Sequence, residues 1–589
     1  MTRNRAGTGR ADNSMTVDHH GPGKLALGIR WALWRASKVP ASTGFVAQPE
    51  PRTIGQYNRG RQMVAGNFLF AGHLVEAPNT AIWDIKAPDP AFAREAHGFA
   101  WLDDLAALGD GAARLRAQDW TYDWIARYGR GAGAGWSPDL TARRLIRWIN
   151  HAFFLMSGRK AEQTNGYFRL LTSQTVYLSH AWKSAPPGLP RFEALTGMIC
   201  AGLALKGMEG HVAPAVAALA ADCAAEIDDQ GGLPTRNPEE LLEVFTLLTW
   251  AAQALSEAGR MAPAELSGAM ERIAPTLRAL RHSDGGLARF HGGGRGIEGR
   301  LDHALATAGV RTMPAAKLAM GFARLQGGRT TVIVDAAGPP GARAGRHAHA
   351  SALAFELTSG RRPLVVNCGS GAPFGAEWRQ AGRATASHST LAIDGYSSSR
   401  FAPDDFTTFL EAARVTVARL MPAEDGIGLH LAHDGWALTH GLCHVRDLFL
   451  AGDGRKISGI DKLAALNQNQ KARFEALLQA GRLEGVNFDL RFHLHPDVDA
   501  RLDMGGAAVS LGLKSGEIWV FRHDGGGKLA LEPSVYLERT RLRPRPTRQI
   551  VLSARAFDFE IRLGWTLAKA QDTPLAIRDL TSEEMPIPG

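Results

Sequence analysis

The texture of the chain changes once, near residue 320, and that change limits it to a helical unit followed by a sheet unit. From about residue 85 to about 320, Ala and Leu recur at helical spacing. The runs Leu140–Asn150, Ala194–Leu205, Ala213–Ile227, Glu239–Leu255 and Ala264–Leu280 each predict a helix. Turn signals at Pro186-Pro187-Gly188 and Gly231-Gly232-Leu233-Pro234 separate them. Beyond 320, short β-rich runs lie between Gly/Asp turns, among them Thr330–Asp335, Ser510–Leu513 and Gly516–Phe521. Helices in series and then strands in series predict a multidomain chain, α then β, whose second domain is an antiparallel β-sandwich. A ligand cleft is expected where the two domains meet. The expected divisions are a disordered tail over 1–23, a helix and extended lead-in over 24–84, the helical domain over 85–320, the sandwich over 321–575 and a tail over 576–589.

With 589 residues the chain exceeds one ordinary core. Cys200, Cys223, Cys368 and Cys443 have no paired spacing, so neither a disulfide framework nor a thiolate metal site is expected. The net charge of +9 is spread along the chain rather than gathered in a basic block, which argues against nucleic acid as a partner and suits a groove for an acidic polymer. The triplet Gly292-Gly293-Gly294 lacks the Lys and Ser/Thr of a phosphate loop, so no nucleotide cofactor is expected. Near the start, Met15 is an alternative first residue. The stretch Leu25–Arg35 is interrupted by Arg30 and has no small-residue cleavage site, which makes it a poor signal peptide. It also falls short of the roughly twenty apolar residues that span a bilayer, so no transmembrane segment is expected, and the stretch is read as a first helix docked on the protein, with a basic amphipathic helix lying on a membrane as the alternative.

The chemistry-bearing cluster is His347-Ala348-His349, followed by Asn367 and by His388 in Ala384-Thr385-Ala386-Ser387-His388. On an extended strand, side chains two apart share a face, so the sequence predicts that His347 and His349 aim at one point. A turn at Thr358–Arg361 would fold Asn367 back beside them. His493 and His495 repeat the spacing without a third partner and are read as sandwich packing. His282 and His291, in a Gly-rich connection, are read as edging the cleft.

Three stretches resemble the C-terminal half of heparinase II/III-like polysaccharide lyases: Arg346–Ala350 leading into Leu353–Leu357, Leu364–Gly369, and Trp378-Arg379 through Arg383–Leu391 to Asp394-Gly395. The resemblance implies an incomplete (α/α) toroid before the sandwich, and successive helical hairpins agree with it. It also implies β-elimination on an acidic, uronate-containing polysaccharide or oligosaccharide. That reaction needs a group to neutralise the C6 carboxylate, a base for the C5 proton and an acid for the departing C4 oxygen. The resemblance gives proton transfer to His347, and His349, Asn367 and His388 match positions that hold zinc in some members. Asn367 would be a weak ligand, so any zinc there is expected to be labile and water-bound. Ser351 stands where the family often has Asp, and its hydroxyl can orient a neighbour without supplying charge.

The helical signatures are altered. Leu189 and Pro190 replace the Asn and His of the lyases, and Glu240 falls near the catalytic Tyr. Arg191, Arg236 and Asn237 are candidate contacts for an acidic sugar, Arg379 or Arg383 is expected near its carboxylate, and Tyr396 is a candidate replacement acid. Two other readings follow from the departures. One is a glycoside hydrolase that uses Glu193 with Glu239 or Glu240, and the other is a carbohydrate-binding or assembly protein without catalysis. Lyases of the family commonly work in the bacterial cell envelope, whereas the sequence shows no export signal, so the two indications on localisation oppose each other.

Overall fold

The computed structural model describes residues 30–131, 133–315, 317–403 and 405–571. Both expected tails, and the first part of the expected helix at Leu25–Arg35, lie outside the described residues; residues 30–36 are helical. The five predicted helices occur as Pro138–Asn150, Leu189–Ala204, Val212–Glu226, Pro238–Glu257 and Ala264–Ala279. Leu189–Ala204 packs against Pro138–Asn150, Val212–Glu226 and Pro238–Glu257. Their starts follow local chemistry. Proline occupies the first turn of Pro90–Gly98, Pro138–Asn150 and Pro238–Glu257, where its missing N–H is harmless. Asp89, Asp110 and Asn237 accept hydrogen bonds from the first free N–H groups of their helices. The helical core is rich in aromatics, with Trp101, Trp124, Trp148, Tyr167 and Tyr177 fully buried. Arg144 is buried among them, its guanidinium 4.0 Å from the Trp124 ring centroid and hydrogen-bonded to Gln174 Oε1 and the carbonyl of Gly135, both at 2.8 Å. Among the described residues, no helix is long and apolar enough to cross a membrane.

The last helix of this domain is Arg300–Ala308 and the first sandwich strand is Phe322–Gly327. Two antiparallel eight-stranded sheets follow. One runs, in spatial order, Val415–Ala423, Gly426–Trp436, Leu442–Ala451, Lys456–Ala464, Glu560–Gln571, Ile518–His523, Ala508–Gly512 and Asp499–Asp503. The other runs Lys528–Tyr536, Arg545–Ala556, Val486–Leu494, Arg362–Val366, Phe355–Ser359, Thr330–Asp335 and Phe322–Gly327, with Leu391–Ile393 paired to Val486–Leu494. Their facing sides bury one apolar cluster in which Trp565 stacks on Phe355 and Phe521.

One local expectation fails. His347 and His349 are not on a strand: Ala342–His347 is a short 3-10 turn, and the next strand begins only at Phe355. The preceding Pro339-Pro340-Gly341 cannot continue a ladder, and Gly345 packs so close to the Pro340 carbonyl that a side chain there would clash. The two histidines therefore diverge, His347 exposed and His349 buried.

Candidate active site

His349 and His388 meet below the domain seam. The carbonyl of Ala384 can only accept, so His388 Nδ1–H donates to it at 2.8 Å and leaves Nε2 as an acceptor. His349 Nδ1–H then donates to that Nε2 at 3.0 Å. Burial, and then His388, hold the His349 imidazole well below its ordinary range, and burial takes His388 down to about 4. Both rings are neutral at ordinary pH.

Asp335, at the end of its strand, is the hub beneath them. It is fully buried and forms an ion pair with Arg236, accepts from Ser351 Oγ at 2.7 Å, and faces His291 Nε2 at 3.4 Å. His291 in turn accepts the backbone N–H of His349 on Nδ1 at 3.2 Å. Burial alone would raise the Asp335 carboxyl, but Arg236, His291 and the Ser351 hydroxyl overcome it and bring it to about 2. Ser351 thus carries no charge but holds one in place. A second buried carboxylate, Glu356, accepts from His282 Nε2 at 3.2 Å and from the Arg289 backbone at 3.0 Å. Sequence reasoning missed both carboxylates as parts of the site. The available signal was an acidic residue directly beside a large apolar one in a predicted strand, Val334-Asp335 or Phe355-Glu356.

His347 lies above this layer, against Gly292 of the Gly-rich connection: a Cβ on Gly292 would stand 3.0 Å from the His347 Cβ. It is exposed by surface area yet sits low between the domains, so loss of hydration remains the largest influence on it. Arg379, Arg383, Arg346 and Arg539 add to that influence, and the imidazole falls to about 4. Arg379 is half-buried and donates to the Arg346 carbonyl at 3.4 Å.

The helical wall opposite is acidic. Glu193 is buried in a two-pronged pair with Arg143, Nη2 to Oε2 at 2.9 Å. Glu239 accepts from Gly294 N and Arg539 Nη1, both at 2.8 Å, and Glu226 pairs with Arg343 at 2.7 Å, so these ion pairs bridge the seam in addition to Arg236–Asp335. Glu240 is half-buried. Burial raises its carboxyl, the Thr235 hydroxyl opposes, and Glu193 and Glu226 raise it further.

Several expected site residues have other employment. Arg236 gives its guanidinium to the carbonyls of Met320, Gly321, Ala337 and Gly338 as well as to Asp335, and so fastens the helical domain to the sandwich. Arg383 is buried and clamps four carbonyls, those of Gly345, Ala348, Phe406 and Thr407. Arg191 is held by the Ala185 carbonyl and lies 3.7 Å from Asp222. Asn237 caps its helix by accepting from Glu239 N and Glu240 N. Tyr396 is 47% exposed and packs edge-on against His440, not against the histidine cluster. Glu193 is spent on Arg143, which removes the first carboxylate of the hydrolase reading. His493 is buried in the sandwich, bonded to Ser534 and to the Ala386 carbonyl.

A resident zinc does not fit these residues. Bonds of about 2 Å from the two ring nitrogens would meet at roughly a right angle, so the pair is spaced for ligation. Asn367, however, accepts from Ser389 N at 2.9 Å and turns its NH₂ towards Glu356, so it orients the His388 loop instead of completing a site. Among the described residues, no group of three His, Cys, Asp or Glu side chains converges for a metal.

The heparinase II/III-like C-terminal domain profile matches residues 310–566. The chain is also 30% identical over 584 residues to FtsZ-localized protein C of Caulobacter vibrioides (strain NA1000 / CB15N), a match that covers 93% of this chain and 98% of the relative. The chain belongs to the heparinase II/III-like family. Among solved structures it is similar to heparinase III (TM-score 0.66, 12% identity, 92% of this chain and 89% of that one). It is also similar to heparan sulfate lyase HepC from Pedobacter heparinus (TM-score 0.55, 14% identity, 94% and 88%). The helical domain and sandwich are therefore the toroid-plus-sandwich fold of this family, with the His347 region between them.

Proposed function

We propose that the protein cleaves an acidic, uronate-bearing polysaccharide by β-elimination in the seam between its domains. The observation that carries this reading is the exposed His347 imidazole, set against Gly292 at the domain seam with Arg346, Arg379 and Arg539 around it. The guanidinium groups neutralise the substrate carboxylate, which acidifies the neighbouring C–H. Neutral His347 takes that proton, and Glu240, whose carboxyl burial keeps protonated to higher pH than usual, delivers a proton to the leaving oxygen in place of the tyrosine. Asp335, His291, His349 and His388 hold the loop beneath. The family and its lyase fold support this assignment.

A second reading has its own support. The relative matched over nearly its whole length is named for localising with FtsZ, and Leu189 and Pro190 replace two catalytic side chains expected from the lyases. On that reading the protein binds glycan in the same cleft without cleaving it and localises as its relative does. Incubation of the full chain with a panel of uronate polymers tests both. An unsaturated product absorbing in the ultraviolet, lost in His347→Ala, is the expected result. New reducing ends without that absorbance would indicate hydrolysis, and an intact but bound polymer would favour the second reading.

A further inference from the structure

We propose that a separate basic pocket on the domain seam is a second binding site for the same acidic polysaccharide, one that holds the chain and does no chemistry. The proposal rests on the reading of this protein as one that handles such polymers. The pocket has a volume of about 960 Å³ and is built by both domains: Arg278, Arg281, residues 309–311 and 313–315 and Lys317 on one side, Arg324, Leu420 and Ile427 of the sandwich on the other. That volume is at the upper end for ligand sites.

Its charge is lopsided. Arg278, Arg281, Arg311, Lys317 and Arg324 line it, against the single carboxylate of Asp302, which is taken by Arg281 at 2.7 Å. Two of the cations are fixed without being neutralised. Arg278 donates to the carbonyls of Val310 and Thr312, and Arg324 to those of Ala279 and Arg281. Carbonyl partners orient a guanidinium while leaving its charge to act on whatever enters. Arg311 and Lys317 are exposed and meet no carboxylate among the described residues. An open pocket lined by cations in this way concentrates anions.

The lining also narrows the class of anion. It contains no Phe, Tyr or Trp on which a nucleobase would stack. Its apolar side is aliphatic, from Leu305, Pro314, Leu420 and Ile427, and suits the C–H faces of sugar rings whose carboxylates or sulfates reach the cationic rim. The pocket is separate from the chemistry but adjoins its support: His282 lines it and bonds Glu356, which receives the Asn367 amide that holds the His388 loop.

The test uses the full chain with a fluorescently labelled heparin hexasaccharide and a labelled galacturonate hexamer, read by anisotropy at low and high salt. The double variant Arg311→Glu/Lys317→Glu, whose exposed side chains leave the fold alone, should weaken binding of at least one probe tenfold or more and flatten its salt dependence. His347→Ala should keep binding in this pocket. Equal affinity of wild type and the double variant for both probes would overturn the proposal, as would wild type that takes up inorganic sulfate but neither hexamer. Wild type that binds the hexamers in this pocket yet forms no lyase product from any uronate polymer would instead count against the assignment of chemistry to the seam at His347.

Discussion

Replacing Asp335 by Asn probes the hub beneath the histidines, because the side chain keeps its shape but loses its charge and one of the two oxygens that accept from Arg236 and Ser351. The carboxyl sits at about 2 instead of the ordinary 3.8, and at 1.36 kcal/mol per pH unit that drop corresponds to about 2.5 kcal/mol of stability. A depressed carboxyl stabilises the fold above its unfolded value and loses that contribution as pH falls through its folded value. The contribution is therefore complete above about pH 5, falls progressively below that, and is gone near pH 1. The variant should cost somewhat more than this at pH 7, about 3 to 5 kcal/mol, because Arg236 is left with carbonyl partners and no opposing charge in a site where its side chain is 11% exposed. At about 2–4 °C per kcal/mol for a domain of this size, melting should fall by at least roughly 6 °C. Urea titrations monitored by tryptophan fluorescence, run at pH 7 and at steps from pH 4 downward, measure both features. A loss below about 1 kcal/mol at pH 7, or a gap between wild type and variant that stays constant as pH drops below 4, would refute the assignment of Asp335 as the counter-charge that joins Arg236 to the histidine layer. The pairing of Asp335→Leu with Arg236→Met should recover most of the loss, since removing both charges leaves none stranded.

Other outcomes follow from the same geometry. His347→Ala should lower formation of unsaturated product by about 10²-fold or more with an unchanged melting temperature, because the side chain is exposed; a melting shift of similar size to that of Asp335→Asn would make its role structural. Gly459→Ala places a methyl 2.2 Å from the Trp565 ring, which is locked by Asp461 and the stacked Phe355 and Phe521. It should destabilise the sandwich by about 1–3 kcal/mol in urea, and a neutral result would mean the inner sheet face is looser than described. Arg143→Met should be more harmful than Arg143→Met combined with Glu193→Leu, measured by the same titration, since the single change strands a buried carboxylate. Zinc added to the metal-free chain should leave melting within about 1 °C, the result for a site with no effective binding at the concentration used; stoichiometric zinc retained through dialysis against a chelator would show that a third ligand has been overlooked.

The histidine cluster shows how far local pattern reaches. Its members were legible because His-x-His, Asn367 and His388 occur in the order and spacing of the family. Their arrangement was not, because Pro339-Pro340-Gly341 breaks the ladder and sends His347 up into the seam while His349 turns inward. The arginines mislead for a related reason. A sequence records that Arg191, Arg236 and Arg383 carry charge and can fork onto a carboxylate, but backbone carbonyls satisfy the same donors, for Arg191 that of Ala185 six residues before it and for Arg236 and Arg383 those of distant segments.

What the sequence determined by itself is the order of the two domains, the helices from Pro138 to Ala279, the hairpin strands around 330 and 360, and the family. Each of these depends on periodicity, turn residues or word order within a few tens of residues. The tertiary structure decided which charged groups are free to act. Whether Glu193, Arg383, Asn367 or His347 is available depends on whether a partner remote in the chain has already claimed it. Arg143 is 50 residues from Glu193 and Phe406 is 23 from Arg383. Burial makes each such claim binding, since a charge or amide removed from water must keep the partner it finds.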